Sequence, residues 1–350
     1  MELTQFGYNE NVKDEFEKQA KENQIIGRIS LEHKRMYRVW TAYGELLCEV
    51  SGKLAYDAQS REEYPAVGDW VIVSPRIKEG KGTITTILPR KSKFSRKVAG
   101  NNTEEQIVAA NVDTIFLVNS LNEDLNIRRL ERYLTLTWES GANPVIILTK
   151  ADLAVDVKEK LMLVEAVALG IPVITISVVN KTGLDDLQAY LHPGRTVALL
   201  GSSGVGKSTL TNFLIGYEKQ EVQEIRDSDA KGRHTTTNRE MVLLPNNAIL
   251  IDTPGMRELQ LWNGDDGISN SFSDIEELAG HCKFRDCQHE KESGCAIKLA
   301  LANGEMEEDR LRSYKKLLRE LAFLERRQDK KAKSDEKKKW KSMTKKYKTK

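Results

Sequence analysis

The segment GSSGVGKST, Gly201 to Thr209, constrains this chain more than any other. Gly201, Gly206, Lys207 and Ser208 match GxxxxGKS between a predicted strand, Thr196 to Leu200, and a predicted helix. That context defines a P-loop. Glycines let the backbone turn its N–H groups toward a β-phosphate, and the helix N-terminus adds positive potential. Lys207 is expected to reach the β and γ phosphates, and Ser208 to hold Mg²⁺. The whole loop, with Ser202, Ser203, Gly204, Val205 and Thr209, is the predicted nucleotide cradle. A glycine-rich turn without function does not explain strand, motif and helix together.

The surrounding texture agrees. Asp113 to Asn119, Pro144 to Thr149, Pro172 to Ser177 and Thr196 to Leu200 are apolar runs alternating with helical stretches such as 127–140 and 157–169. Such alternation predicts a parallel sheet covered by helices. Two further strands, Met241 to Leu244 and Ala248 to Asp252, complete an α/β domain over 105–265. DTPG at Asp252 to Gly255 ends the last strand, so Asp252 is expected near the magnesium through water, and the Gly255 N–H near a γ-phosphate. Between the P-loop and DTPG lies GRHTTT, Gly232 to Thr237. One of Thr235, Thr236 or Thr237 is expected to complete the magnesium shell, with Thr236 carried forward as the candidate.

Guanine recognition needs a carboxylate that accepts from N1–H and the exocyclic amine. TKAD, Thr149 to Asp152, follows a strand and offers Asp152, with Thr149 and Lys150 beside it. SVVNKTG, which begins at Ser177, follows the next strand and offers backbone contacts to the base oxygen. Both base-reading segments precede the P-loop, the reverse of the order in an ordinary small GTPase, so the domain reads as circularly permuted. Permutation is allowed because the termini of a compact domain often lie close together.

Outside this domain, five short β-rich runs between Ile25 and Leu88 predict a small barrel. An OB-like fold suits the spacing, with an SH3-like barrel or a plain antiparallel sheet left open. Residues 1–23 read as a polar, partly helical arm before the barrel at 24–90, and the basic stretch 91–104 as a linker able to touch phosphates. Residues 266–329 combine a Cys/His cluster with a helix whose apolar face runs Leu311, Tyr314, Leu318, Leu321, Leu324. Cys282, Cys287, His289 and Cys295 form a Cys₃His set suited to one structural zinc with no open position for water. His281 is expected to be a bystander, and Cys48 an apolar filler in a strand.

The net charge of +2 hides an asymmetry. Arg326 to Lys350 carries 13 Lys or Arg against 3 acids, or +10, which leaves −8 for the rest. The lysine-rich tail 330–350 is expected to be disordered when nothing is bound. With Trp340 and Tyr347 among its lysines, it points to RNA. With 39% hydrophobic residues, no long apolar run and a polar N-terminus, the expectation is a cytoplasmic chain with no membrane partner.

These features together resemble the RsgA (YjeQ) family of circularly permuted GTPases. AVGDWV at Ala66 to Val71, TKAD, GSSGVGKST, GRHTTT, DTPG and the Cys/His cluster follow one another in that family's order. The resemblance implies an OB domain, a central GTPase and a zinc-binding C-terminal helical domain. It also implies GTP hydrolysis with Mg²⁺, stimulated by the small ribosomal subunit whose late assembly it serves, through contacts with rRNA. A monomer is expected. The competing readings are an RNA-binding assembly scaffold with a mainly regulatory nucleotide site, and an ATP-using P-loop enzyme, which Asp152 disfavours. Two departures stand out. Thr149 replaces the usual Asn of the base-reading motif, which predicts a weaker tie between base and P-loop. Met256 stands where many GTPases carry a water-orienting glutamine, which leaves His234 as the catalytic candidate beside Lys207.

Overall fold

The computed structural model describes residues 2–33, 35–97, 105–122, 125–216, 239–252, 265–323 and 326. They fall into two compact units, one within Met1–Val98 and Glu104–Gln260 and the other within Leu261–Lys350.

The first unit opens with α1 (Glu10–Gln19). The Asn9 side chain caps it by accepting the Val12 N–H at 3.1 Å. Val12, Phe16 and Ala20 recur every four residues and pack with Phe6 against Ile26, Trp70, Ile72 and Leu88. The polar arm thus carries an apolar stripe that covers part of the barrel.

Five strands build that barrel: β1 (Ile25–His33), β2 (Met36–Thr41), β3 (Gly44–Val50), β4 (Trp70–Arg76) and β5 (Lys81–Ile87), with the short α2 (Gly52–Asp57) after β3. Pairing runs β1-β2-β3-β5-β4 and returns from β4 to β1, so the sheet closes on itself. Only β3 with β5 is parallel, the arrangement of an OB barrel. This closure settles the alternatives that strand spacing leaves open. Alternate residues point inward, and Ile29, Tyr37, Val39, Leu46, Cys48, Val71, Val73 and Ile84 form the barrel core. Cys48 is fully buried there, and desolvation pushes its thiol up to about 12.

Next come β6 (Lys93–Lys97), within the stretch 91–104 read from sequence as a linker, and β7 (Glu105–Ala110) just after it, an antiparallel pair. No periodicity announces β6, because a two-stranded ribbon needs little apolar anchorage and Phe94 supplies it. Three basic residues here have internal partners. Arg90 grips the fully buried Asp69 with two bonds of 2.7–2.8 Å, Lys91 reaches Asp113, and Lys93 reaches Glu105.

The α/β part contains β8 (Thr114–Ser120), α3 (Ile127–Ser140), β9 (Asn143–Thr149), α4 (Val157–Glu165), β10 (Val173–Thr175), β11 (Thr196–Leu200), α5 (Lys207–Ile215), β12 (Arg239–Leu243) and β13 (Ile249–Asp252). Strand order is β10-β9-β8-β11-β13-β12. The first five are parallel, as their continuous apolar runs predict. β12 is antiparallel to β13, because the short turn 244–248 leaves no room for a crossover.

Barrel and α/β part share backbone. Past a bulge between Ile29 and Leu31, β1 leaves its barrel partner β4 and pairs with β12 at Leu31 and Glu32. Arg28 lies at the junction, 2% exposed. It donates to the carbonyls of Phe6 (2.5 Å), Gly68 (3.2 Å) and Asn111 (3.0 Å), and so ties the N-terminal segment, the barrel and the strand ahead of β8 together. Burial lowers its pKa to about 10, against the opposing pull of Asp113 and Asp69. Gly68, in the AVGDWV segment, has φ +94°, and a Cβ there would sit 2.1 Å from the Ala110 carbonyl oxygen.

The second unit comprises α6 (Asp265–Ser271), α7 (Ser273–Gly280), α8 (Ala296–Asn303) and α9 (308–323). Ile268, Phe272, Ile275, Ile297, Leu311, Leu317 and Leu321 are among its buried apolar residues, and Arg310 clamps Asp274 through bonds of 2.6 and 2.7 Å. The face read from sequence for the last helix needs correction. Leu317, 5% exposed, faces inward, whereas Leu318 is 38% exposed. Both positions satisfy helical spacing after Tyr314, and the bond from the buried Arg310 to the half-buried Asp274 sets which side turns inward. Leu324 lies outside the described residues.

Candidate functional site

The C-terminal ends of the parallel strands carry the nucleotide motifs, where open α/β sheets place their ligands. β11 leads into Gly201–Gly206 and then α5. A Cβ on Gly201 would lie 2.2 Å from the Val118 carbonyl oxygen, so only glycine lets the loop lie against β8. Gly204 and Gly206 have φ of +77° and +94°, the left-handed turns that aim successive N–H groups inward. Val205 is buried in the core beneath and anchors the loop. No side chain caps the start of α5. Lys207 folds back over the loop, its Nζ donating to the carbonyls of Gly201, at 2.8 Å, and of Ser202. Ser208 and Thr209 follow in the first turn, both half-buried, while Ser203 is exposed.

The base-reading segments arrive from the neighbouring strands. Thr149 ends β9, and its hydroxyl donates to the Val205 carbonyl at 2.6 Å, with the Asn119 carbonyl 3.2 Å away. The Thr149 hydroxyl thus ties the end of β9 directly to the P-loop backbone. Lys150 turns through a left-handed φ of 57°, and Asp152 comes out exposed. Ser177 Oγ donates to Asp152 Oδ1 at 2.5 Å while accepting the Asn180 N–H at 3.0 Å. This bond fixes the orientation of the carboxylate. The Ser177 loop closes by pairing with Thr182, and Gly183 (φ +69°) is required because a Cβ would meet the Thr175 carbonyl oxygen at 2.1 Å.

Asp252 ends β13, the strand beside β11, so its backbone leaves the sheet next to the P-loop strand. His234, Thr235, Thr236, Thr237, Gly255 and Met256 lie outside the described residues, as do the side chain of Asp252 and the tail 330–350. Sequence reasoning passed over Asn119. It is fully buried at the end of β8, its amide donates to the Leu117 carbonyl at 3.3 Å, and its own carbonyl faces Thr149. The available signal was a polar residue closing the apolar run of a central parallel strand.

In the second unit, the ligand atoms of Cys282, Cys287, His289 and Cys295 all lie within 4.8 Å of one another. His289 Nδ1 is 3.6 Å from Cys282 Sγ and 3.5 Å from Cys295 Sγ. Burial disfavours ionisation of Cys282, yet backbone N–H groups of Ala296 and Ile297 at the start of α8 outweigh it and hold the thiol below its ordinary pKa. Desolvation and the nearby Lys315 charge lower the pKa of His289, against the pull of Glu292. Desolvation raises Cys287 to about 11. Glu292 accepts N–H bonds from Gln288, Glu290 and Lys291 at 2.8–3.0 Å and shapes the loop between ligands. His281 is exposed and outside the cluster, as expected.

The family model for the RsgA GTPase matches residues 87–262. A curated relative from Lactiplantibacillus plantarum, small ribosomal subunit biogenesis GTPase RsgA 2, is 51% identical over 87% of this chain and 86% of its own. RsgA 1 from Oceanobacillus iheyensis is 47% identical over 91% of this chain and 92% of its own. Among solved structures, YjeQ from Thermotoga maritima aligns with a TM-score of 0.64 at 26% identity, covering 85% of this chain and 99% of its own. YloQ, described as a circularly permuted GTPase, aligns at 0.61 and 24% identity over 87% and 98%, and speaks for the fold. Base-reading loops that precede the P-loop, a closed barrel ahead of both and identities near one half over most of the chain make this protein a member of the RsgA family of circularly permuted GTPases, and so a GTP hydrolase.

Proposed function

We propose that the chain binds GTP across the ends of β9, β10 and β11 and hydrolyses it on the small ribosomal subunit during that subunit's late assembly. The observation that supports this most is the bond from Thr149 to Val205, which joins the base-reading loop to the phosphate loop in one frame. In this reading the N–H groups of Gly201 to Gly206 hold the phosphates, and Lys207 exchanges its loop carbonyls for the β and γ oxygens. Asp152, steadied by Ser177, accepts from the guanine N1–H and amine. Ser208, Thr236 and, through water, Asp252 hold Mg²⁺, which when bound neutralises developing phosphate charge. The Gly255 N–H registers the γ-phosphate, and His234 orients the attacking water, since Met256 has no group to do so.

Cys282, Cys287, His289 and Cys295 suit one structural zinc: three cysteine sulfurs and one imidazole nitrogen make up a tetrahedral donor set. Partner assignment follows the names of the relatives, each a small ribosomal subunit biogenesis GTPase. The basic tail and the OB barrel are the elements suited to its rRNA. Among the described residues, no helix is long and apolar enough to cross a membrane.

Phosphate release from GTP, measured alone and with purified small or large subunits, tests the reading. Stimulation by small subunits alone is expected, with loss of that stimulation and retention of GTP binding in His234→Ala. Equal rates with and without small subunits would remove the subunit from the function. A wild-type rate in His234→Ala would remove His234 from the chemistry.

A further inference from the structure

Phe284 lies between two ligands of the Cys₃His cluster and is 43% exposed, although a large aromatic ring in so small a unit would ordinarily be buried. The turn that presents it is fixed at several points. The Lys283 N–H bonds the Gly294 carbonyl at 3.0 Å, and the Cys287 N–H bonds the Phe284 carbonyl at 3.3 Å. Gly294 has φ +74°, and a Cβ there would come within 3.1 Å of the Lys283 side chain, so the lysine stem lies across this glycine. From that position Lys283 Nζ stands 5.5 Å from the Phe284 ring centroid. Arg285, exposed, follows directly.

The geometry points to Phe284 as a stacking platform for one unpaired base of single-stranded RNA, with Lys283 and Arg285 meeting the flanking phosphates. A base stacks on a flat ring whatever its identity, and a cation at the ring strengthens the hold. One cation beside an exposed ring and a second on the next residue match a strand that alternates π-faces with negative charge. A buried protein anchor would carry apolar neighbours, and here the adjoining positions are Lys283, Arg285 and Asp286. Single strands fit this platform, because the bases of an A-form helix are stacked inside it. The inference rests on the rRNA-contacting reading above and names the residue and the class of RNA.

The test uses the full chain and a fluorescently labelled oligouridine, with affinity measured against salt. Phe284→Leu keeps an apolar side chain and removes the π-face. It is expected to weaken oligouridine binding at least about 5-fold with an unchanged salt slope, the effect of one lost stacked base. Lys283→Gln is expected to lower the magnitude of the slope by about 0.7, the value for one phosphate contact on a single strand. Zinc content and GTP affinity, equal to wild type in both variants, show that the fold is intact. Wild-type oligouridine affinity in Phe284→Leu overturns the platform while leaving rRNA contact elsewhere standing. No oligouridine binding by the unaltered chain overturns both. Weakened binding to small subunits with unchanged oligouridine binding also overturns it, and assigns Phe284 to a ribosomal protein.

Discussion

The Thr149 hydroxyl lies 2.6 Å from the carbonyl oxygen of Val205, a hydrogen bond between residues 56 positions apart that joins the proposed base-reading loop to the P-loop. Both are buried, so water cannot replace the bond if it is lost. Thr149→Val keeps the shape and removes the donor. Its expected cost is about 0.5–1.5 kcal/mol, read as a 2- to 10-fold rise in the GTP dissociation constant. Thr149→Asn should restore affinity through an amide donor. Titration with a fluorescent GTP analogue decides the matter, and wild-type affinity in Thr149→Val would show that the bond does not shape the site.

Gly68 joins barrel and α/β part by close approach to Ala110. Gly68→Ala meets both a left-handed backbone and a collision, so at least about 2 kcal/mol of stability should be lost. For a unit of this size, calorimetry should show a fall in Tm of about 4–8 °C. An unchanged Tm would mean that the contact opens without penalty.

Asp113 accepts bonds from Lys91 at 2.9 Å, Arg195 at 3.2 Å and the Thr196 N–H at 2.9 Å. Desolvation alone would raise its pKa, but these partners prevail and lower it. Its stabilisation is therefore complete above the unfolded carboxylate value, about 3.9, and fades as pH falls through the lower folded value. Asp113→Asn should destabilise the protein at pH 7 and flatten the acid limb of stability below about pH 4. Urea midpoints measured from pH 2 to 7 check this, and parallel curves would assign the acid limb to other carboxylates.

If the Cys₃His set holds zinc, the purified chain carries one equivalent, and Cys287→Ser loses it. Chelation should then reduce far-UV helicity from α6 to α9, since the small unit gains its folding energy partly from the metal. GTP affinity, a property of the first unit, should persist. Helicity that survives complete metal removal would show that the Phe272 core and the Arg310–Asp274 clamp suffice.

Local signals made the sites legible, because their chemistry is contiguous. The phosphate loop needs glycines at set positions beside Lys207, the metal cluster needs four donors within fourteen residues, and continuous apolar runs mark buried parallel strands. Less legible was β6, whose basic residues read as a linker, and Asn119, whose part depends on β9 lying alongside.

The sequence by itself determined the α/β class, the permuted order of the nucleotide motifs and the four residues of the Cys₃His cluster, since each follows from residue type and short-range spacing. Only tertiary structure decided that the barrel closes, that β12 runs antiparallel, that Leu317 rather than Leu318 faces inward, and that Thr149 bonds the Val205 carbonyl. Each of these turns on which distant backbone groups meet. A chain records the donors and acceptors it carries, and folding selects their partners.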